Sequence, residues 1–407
     1  MRPRLAAMLA AALALGLTAC ERADEETGDT GSTTLTVYAS LPLQGPAGPE
    51  SVAVANGARL ALREAGGKVG DLVVKLVVLD DSTPAAGRWN PEQTADNART
   101  AVRDRTAIAY LGDGPSGATA ISLPILNAAG VLQVSPTSGY QGLTGTQDAE
   151  KGEPEKYYPS GRRTFARPVP GDDVQARALL ASLTDEHCRR LQVLDDLDVS
   201  GRGLAAGVGR AAAAAGIEVV GRDQLRADVD IAAEAQAITT GGADCVLFAG
   251  ALAAWVPGLF DALHAADPQL ELFGGEGLAS DAFAAALGAG TQARTHLTAP
   301  VGVLEPRPGV RAFLRRYRKA LGADARTGAL YGYEAMRLVL AGIQRAGPLG
   351  NDRAAVTRAL FALGERKSPL GPYRIDREGN TTSTAYSRLT LRGGRLVRSQ
   401  TASFPPG

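Results

Sequence analysis

Short apolar runs alternate with helical patterns along the first third of the chain. Four runs predict strands, at residues 34–40, 72–79, 108–111 and 131–134. The run at 72–79 is continuously apolar, which is typical of a strand buried in a parallel sheet. Apolar residues recur at helical spacing within 50–65 and 91–105, and an apolar helix separates the last two strands. This alternation predicts a doubly wound α/β domain.

A second set of strands and helices begins after a long polar segment. Residues 141–163 are polar, charged and interrupted by Gly and Pro, so they predict a surface loop that lies over the first domain. Four further strands are predicted beyond it, at residues 191–194, 217–221, 245–248 and 270–273. Because helical patterns separate these strands, a second doubly wound domain is predicted.

The last third of the chain has a different pattern of predicted secondary structure. Three helical patterns follow one another without intervening strands, at residues 310–321, 328–345 and 352–363. Helices of this kind after a completed α/β unit indicate that the chain returns to the first domain. A final crossing near Gly371 then leads to closing strands on the second domain, predicted at 372–375 and 386–396 with a turn at Gly393-Gly394.

The N-terminal residues predict export. Arg2 and Arg4 precede an apolar run, 5–17, that is too short to span a bilayer. Leu17-Thr18-Ala19-Cys20 resembles a bacterial lipobox, in which the cysteine is lipidated and becomes the N-terminus; the alternative is an ordinary secretory signal with a chance cysteine. Residues 1–20 are therefore predicted to be a lipoprotein signal peptide. Residues 21–33 are predicted to be a flexible tether on the extracytoplasmic face of the cell membrane.

The composition of the chain argues against nucleic acid and anionic lipid as binding partners. A chain of 407 residues favours two domains, and 43 Lys and Arg balance 43 Asp and Glu, so no net field attracts nucleic acid or anionic lipid. The only predicted membrane attachment is the lipid anchor.

Two cysteines remain after the signal, Cys188 and Cys245. Each lies just before or at the start of a predicted strand, and an exported compartment permits a disulfide between them if those strands are neighbours. Two free thiols are the alternative. A metal site is not expected, since the chain has no CxxC spacing and three scattered histidines.

Polar residues follow two of the predicted strands of the first domain. Gly112 to Ala120 and Ser135 to Gly139 carry hydroxyl groups and glycines, and a helix begins at once after the first cluster. Ligands bind at such carboxyl ends in open α/β sheets, and a helix start suits a small anion. Two ordinary loops remain the alternative.

Signatures of catalysis are weak throughout. Gly114-Pro115-Ser116-Gly117-Ala118 lacks the second glycine of a nucleophile elbow, and neither a P-loop nor a dinucleotide fingerprint occurs, so neither an enzyme nor a cofactor is predicted. Asp80-Asp81 is interpreted as a turn rather than a carboxylate pair. Asp196 opens a motif that imitates a calcium loop, but Gly207 stands where the loop needs a glutamate.

Glu276 is the most informative single carboxylate. It lies in the glycine-rich turn Gly274-Gly275-Glu276-Gly277, after a strand of the second domain. Such a turn leaves the carboxylate accessible to a cation. A solvated loop glutamate is the alternative.

The order of these features resembles the leucine/isoleucine/valine-binding proteins of bacterial ABC importers, which have the type 1 periplasmic binding fold. The likeness covers residues 35–398. It rests on short motifs: Leu43-Gln44-Gly45-Pro46, Asn56-Gly57-Ala58, Val78-Leu79-Asp80-Asp81, Leu111-Gly112, Ser135-Pro136-Thr137, Gly274-Gly275-Glu276-Gly277, Tyr331-Gly332-Tyr333-Glu334-Ala335 and Leu370-Gly371-Pro372.

The resemblance implies two doubly wound lobes joined by three crossover segments, near residues 164–169, 295–303 and 371–375. Lobe 1 would comprise residues 34–165 with 300–370, and lobe 2 residues 166–299 with 371–407. An amino acid would lie in the cleft between the lobes. Its carboxylate would be held by Ser116, Thr137, Ser138 and Gly139, and its ammonium group by Glu276. The family has a threonine at Gly139, so Thr137 or Ser138 would supply the hydroxyl.

Departures from the family occur in the wall of the cleft. Family tyrosines align with Glu50, Ser200 and Ala251, none of which is aromatic. A wider or more polar pocket follows, so the ligand could be another amino acid or a similar small molecule. The resemblance implies a monomer that delivers its ligand to ABC permease subunits. A ligand sensor on the same fold is the alternative.

Overall fold

Two sheets, one in each of two α/β lobes, organise the computed structural model, which describes residues 29–84, 88–305 and 307–405. The predicted signal peptide, the lipidation site Cys20 and the tether as far as residue 28 lie outside the described residues. Within the described ranges, no helix combines the length and the apolar character that crossing a membrane requires.

The first sheet, which defines lobe 1, has six strands in the order β2-β3-β1-β4-β5-β6. They are β1 (Thr34–Leu41), β2 (Lys68–Val69), β3 (Leu72–Asp80), β4 (Ala107–Gly112), β5 (Leu132–Val134) and β6 (Phe165–Ala166). All neighbours are parallel except β2 and β3. The helices between them are α1 (Gly48–Glu64), α2 (Pro91–Arg103) and α3 (Ser116–Ala128). The four strands predicted here are confirmed.

The second sheet, which defines lobe 2, has seven strands in the order β13-β12-β11-β10-β9-β7-β8. They are β7 (Arg190–Asp195), β8 (Glu218–Gln224), β9 (Cys245–Ala249), β10 (Glu271–Gly274), β11 (Thr295–Pro300), β12 (Ala385–Arg392) and β13 (Arg395–Ser403). Its helices are α4 (Asp172–Asp185), α5 (Val199–Ala214), α6 (Ile231–Thr240), α7 (Val256–Ala266), α8 (Asp281–Ala286) and α9 (Ala289–Ala293). Strands β7 to β11 are parallel. The four strands predicted for this domain are β7 to β10, and β11 lies in the extended segment predicted as a crossover.

The predicted return of the chain to lobe 1 is confirmed. Helices α10 (Pro308–Leu321), α11 (Thr327–Ala346) and α12 (Arg353–Phe361) share one hydrophobic core with strand β1 and helix α1. Helices α1 and α11 touch backbone to backbone, because a Cβ on Gly57 would collide with the Ala329 carbonyl and one on Gly332 with the Val54 carbonyl. Gly57 and Gly332 belong to two of the motifs on which the family resemblance rests. In these two motifs the glycines serve the packing of one helix against another.

The C-terminal residues close the second sheet, also as predicted. Strands β12 and β13 form an antiparallel hairpin that pairs with β11 through β12. The strand predicted at 372–375 is wrong, because residues there form only isolated bridges, Arg366 with Tyr373 and Ile375 with Thr381. Gly371 has a φ of +107°, and Pro372 has no N–H to donate, so a continuous ladder cannot form there.

The loop predicted at residues 141–163 does more than cover lobe 1. Its Leu143, Tyr157 and Tyr158 pack with Leu123 and Phe165 in a small apolar cluster of lobe 1. The same segment also forms ion pairs with helix α5 of lobe 2, where Glu150 meets Arg202 and Asp148 meets Arg210. The segment therefore links the two lobes beside the cleft.

Cys188 and Cys245 are joined by a disulfide whose Cα atoms are 5.8 Å apart. The two strands that follow or contain them, β7 and β9, are parallel neighbours, with Leu191 opposite Cys245. The bond therefore ties the start of one central strand of lobe 2 to that of the next.

Removing this disulfide is expected to lower the free energy of unfolding by about 2–4 kcal/mol, because a closed loop restricts the unfolded chain. The loop spans 57 residues of sequence. The variant with Cys188→Ser and Cys245→Ser would be compared with the oxidised wild type by urea unfolding, and wild type in a reducing agent would serve as a control that resembles the variant. Equal midpoints for the variant and the oxidised wild type would contradict the prediction.

Candidate functional site

Lobe 1 contributes a corner built from two adjacent strand ends. Strands β4 and β5 pair in parallel with Leu111 opposite Val134, so the segments that follow them meet at one edge. Helix α3 begins there at Ser116, whose Oγ accepts a hydrogen bond from the Tyr140 N–H at 3.2 Å. The structure thus brings Ser116 together with the segment that holds Thr137, Ser138 and Gly139.

The two hydroxyl groups after β5 are already used within lobe 1. Thr137 Oγ1 donates to the Gly114 carbonyl at 2.7 Å. Ser138 is fully buried, and its Oγ lies 2.7 Å from Thr119 Oγ1 and 3.2 Å from the Asp113 carbonyl. These hydroxyls hold the two loops in register. The donors that this corner offers to an anion are the first N–H groups of α3, which have no partner within the helix, and the Ser116 hydroxyl.

A buried pair of acids supports this corner. The Asp113 carbonyl oxygen accepts a hydrogen bond from Ser135 Oγ at 2.7 Å, and the Asp113 carboxylate accepts one from the Tyr110 hydroxyl at 3.2 Å. Asp81 accepts from Ser40 Oγ at 3.2 Å. Burial raises the pKa of both carboxyls, and the charge of Asp113 raises the pKa of Asp81 further. At least one proton is therefore retained beneath the loops at neutral pH.

Asp80 and Asp81 are neighbours in sequence but have different roles in the structure. Asp80 Oδ1 accepts from the N–H groups of Leu43 at 3.0 Å and Ser82 at 2.9 Å, so the predicted turn role is confirmed for Asp80. Asp81 instead faces the buried interior described above.

Lobe 2 contributes Glu276, immediately after strand β10. Its Oε2 accepts a hydrogen bond from the Tyr386 hydroxyl at 3.2 Å, and Tyr386 is fully buried in β12. Burial, and next the charge of Asp172, raise the pKa of Glu276 to about 8. Burial therefore favours the neutral form of Glu276 at neutral pH.

Asp172, which sequence reasoning missed, lies where the lobes meet. It opens helix α4, is 5% exposed and accepts a hydrogen bond from Ser200 Oγ at 3.4 Å. Burial raises its pKa to about 7. A Cβ on Gly139 would collide with Asp172 Oδ1. Asp172 therefore occupies the space that a side chain at position 139 would need.

Arg167, also missed, is fully buried beside the first crossing. One guanidinium nitrogen donates to the carbonyls of Ser138 at 3.0 Å and Tyr140 at 2.9 Å. The remaining nitrogens donate to Thr144 Oγ1 at 3.1 Å and Asn380 Oδ1 at 3.0 Å. Arg167 thus links the loop after β5 to the segment that precedes β12.

The three residues predicted to form the cleft wall, Glu50, Ser200 and Ala251, do not lie together in the structure. Ser200 lies beside Asp172, and Ala251 lies against Gly277, next to Glu276. Glu50 instead accepts a hydrogen bond from the Gly328 N–H at 3.0 Å and pairs with Arg326. It therefore caps the start of helix α11 within lobe 1.

The acidic motif that resembles a calcium loop serves as a set of backbone caps. Asp196 Oδ2 accepts from the Ala251 N–H at 2.9 Å, and Asp198 Oδ1 accepts from the Ser200 N–H at 3.1 Å. Burial raises the pKa of Asp196 to about 6 and also raises the pKa of Asp198. Both carboxylates belong to lobe 2, at the start of helix α5.

Comparison with known proteins gives a consistent result. The model of the family described as periplasmic binding protein matches residues 34–395. The Leu/Ile/Val-binding protein BraC3 of Rhizobium johnstonii is 28% identical over 370 residues, which cover 90% of this chain and 94% of that protein.

Solved structures agree on the fold. The leucine-binding protein LivK of Thermotoga maritima superposes with a TM-score of 0.77 at 17% identity, covering 91% of this chain and 99% of that one. A solute-binding protein of an ABC transporter from Rhodopseudomonas palustris HaA2, in complex with p-hydroxybenzoic acid, gives a TM-score of 0.78 at 18% identity, covering 92% and 98%. The predicted fold class, with two doubly wound lobes, is confirmed.

Proposed function

Since the chain belongs to the periplasmic binding protein family, we propose that it is an extracytoplasmic solute-binding protein of an ABC importer. In this proposal it binds an amino acid or an amino-acid-like molecule in the cleft between the lobes. One observation carries the proposal: the start of helix α3 at Ser116, beside residues 137–139, belongs to lobe 1, whereas the carboxyl of Glu276 belongs to lobe 2.

The division of the site suits a zwitterion. The ligand carboxylate would meet the N–H groups at the start of α3 and the Ser116 hydroxyl, and the ammonium group would meet Glu276. Each ligand charge then finds its partner only when the lobes close. Micromolar affinity requires about −8 kcal/mol, which two charge-assisted clusters with some apolar burial can supply.

The related proteins differ in what they bind. BraC3 is named for branched-chain amino acids, and the Rhodopseudomonas palustris protein holds p-hydroxybenzoic acid, which has a carboxylate and no ammonium group. Two raised-pKa carboxyls in the cleft of this chain, Asp172 and Glu276, favour a ligand with an ammonium group. The small residues Ser200 and Ala251 favour a side chain that need not be aliphatic.

Affinity for an amino acid is expected to rise with pH between about 6 and 8. Glu276, with a pKa of about 8, must lose its proton to hold an ammonium group, so binding releases a proton. Calorimetry in phosphate and in Tris, whose ionisation enthalpies differ, measures that proton. The Glu276→Gln variant should lose the pH dependence. Proton uptake on binding, or affinity that is flat across this range, would contradict the prediction.

The function itself is tested by a thermal-shift screen over amino acids and aromatic acids, followed by calorimetry on each compound that raises the unfolding temperature, since a ligand stabilises the state that binds it. A shift with at least one amino acid supports the proposal. No shift with any amino acid would count against it.

Partners and location follow from the same proposal. The chain would be held outside the cytoplasmic membrane by lipid on Cys20, act as a monomer and deliver its ligand to ABC permease subunits. The matched family consists of binding proteins rather than enzymes, which fits the expectation of no catalysis.

A further inference from the structure

We infer that Trp89 forms the aromatic wall of the ligand cleft and selects ligands that carry an aromatic or similarly broad apolar group. The inference rests on the proposed function, because it concerns the side chain of the same bound solute. It assigns to lobe 1 a role that the three aligned wall positions, Glu50, Ser200 and Ala251, do not fill.

The backbone on both sides of Trp89 is fixed. Trp89 forms an antiparallel bridge with Ser82, directly after the turn that ends strand β3. Asn90 follows it, and its N–H donates to the Asp81 carbonyl at 2.7 Å, while its side chain caps helix α2. The indole is therefore presented from an anchored position at the carboxyl edge of the lobe 1 sheet.

The indole lies directly beside the proposed carboxylate corner. A Cβ on Gly117 would be 2.7 Å from Trp89 Cζ2 and 2.5 Å from Asp198 Oδ2. Gly117 is the residue after Ser116, at the first turn of α3. Only the absence of a side chain at position 117 lets Trp89 and Asp198 approach this turn together.

Trp89 also reaches lobe 2. Its side chain forms a hydrogen bond with Asp198, and the indole N–H is its only donor. Asp198 caps helix α5 and accepts a hydrogen bond from the Ser200 N–H at 3.1 Å. The indole thus extends from the proposed carboxylate corner of lobe 1 to the start of α5 in lobe 2.

One face of the ring is already covered. The exposed Arg88 guanidinium lies over it, 6.0 Å from the ring centroid. A ligand in the cleft would therefore contact the opposite face or the Cζ2 edge beside Gly117. Aromatic groups gain stabilisation from such ring contacts beyond that of their buried area. A flat, broad side chain attached to the ligand carboxylate group therefore fits this wall better than a small aliphatic one.

The chain offers a matched control, because it has two tryptophans. Trp255 lies in lobe 2 at the start of α7, where its ring packs edge-on against Phe248 at 5.6 Å. The variants Trp255→Phe and Trp89→Phe each keep one indole. Titrating both with phenylalanine, while following intrinsic fluorescence, reports which indole meets the ligand.

We expect phenylalanine to change the emission of Trp255→Phe and to leave that of Trp89→Phe nearly unchanged. Calorimetry should show tighter binding of phenylalanine than of valine by wild type. Trp89→Ala should reduce this preference about tenfold, and Trp89→Phe should retain most of it.

Three results would overturn the inference while leaving the proposed function intact. The first is binding of valine at least as tightly as phenylalanine by wild type, and the second is an unchanged preference in Trp89→Ala. The third is an emission change that persists in Trp89→Phe and is absent from Trp255→Phe. If wild type binds no amino acid at all, the proposed function fails and this inference fails with it.

Discussion

Replacing Glu276 with alanine is expected to weaken amino-acid binding by about two to three orders of magnitude. The ligand ammonium group would be left without its carboxylate partner inside a closed cleft, and an unpaired buried charge costs about 3–5 kcal/mol. Glu276 is held by the Tyr386 hydroxyl at 3.2 Å, so the loss reflects a fixed partner rather than a mobile surface group.

Isothermal calorimetry on the amino acid that gives the largest thermal shift measures this effect. Glu276→Gln should behave like Glu276→Ala, because the amide is neutral, and Glu155→Ala on the exposed loop of lobe 1 should bind like wild type. Both Glu276 variants should unfold at a higher temperature than wild type at pH 8 without ligand, because the carboxylate form is disfavoured by burial. Unchanged affinity in Glu276→Ala would remove the lobe 2 half of the site.

Replacing Arg167 with methionine is expected to reduce both stability and affinity. Methionine retains most of the buried volume but leaves the carbonyls of Ser138 and Tyr140 without donors. Each charged hydrogen bond contributes about 1.5–3 kcal/mol, so the free energy of unfolding should fall by roughly 3–5 kcal/mol. The carboxylate corner should also loosen, because Ser138 follows Thr137 directly.

Urea unfolding and calorimetry together test this role. Arg99→Met is the matched control, since Arg99 is exposed and its ion pair with Asp96 at 2.8 Å lies on the surface of α2. Such a pair contributes about 0–1 kcal/mol. If Arg167→Met unfolds and binds like Arg99→Met, the buried guanidinium does not organise the site.

Much of the fold could be predicted because its signals are local. Apolar runs such as 72–79 and helical spacing such as that of α1 depend on neighbouring residues, and both elements occur where the pattern indicates. The return of the chain to lobe 1 was predictable because the helical patterns of α10, α11 and α12 follow one another without strands between them. The error at 372–375 arose because Tyr373 and Ile375 flank Arg374 in the alternating pattern of a strand, whereas Gly371 and Pro372 prevent a continuous ladder.

Only some residues of the candidate site could be predicted from the sequence. Ser116 and Glu276 carry local signals, a helix start and a glycine-rich turn. Tyr386 is 110 residues away from Glu276, and no local pattern connects them. Asp172 looked like an ordinary helix start, and its contact with Gly139 depends on how the two lobes meet.

Side-chain direction was a second limit. The sequence offered Thr137 and Ser138 as hydroxyl donors for the ligand, yet both donate to backbone carbonyls of the neighbouring loop. The pattern locates a hydroxyl at a strand end without indicating which way it points. For the same reason the sequence does not indicate that the Trp89 side chain lies beside Gly117 and Asp198.

The central claim is that one ligand carries two charges, one for each lobe. It is tested most directly by calorimetry with the best-binding amino acid and two analogues, one lacking the amino group and one lacking the carboxylate. Both analogues should bind at least about a hundredfold more weakly than the amino acid, because each leaves a charge-binding group of one lobe unpaired. A deaminated analogue that binds as tightly as the amino acid would contradict the account.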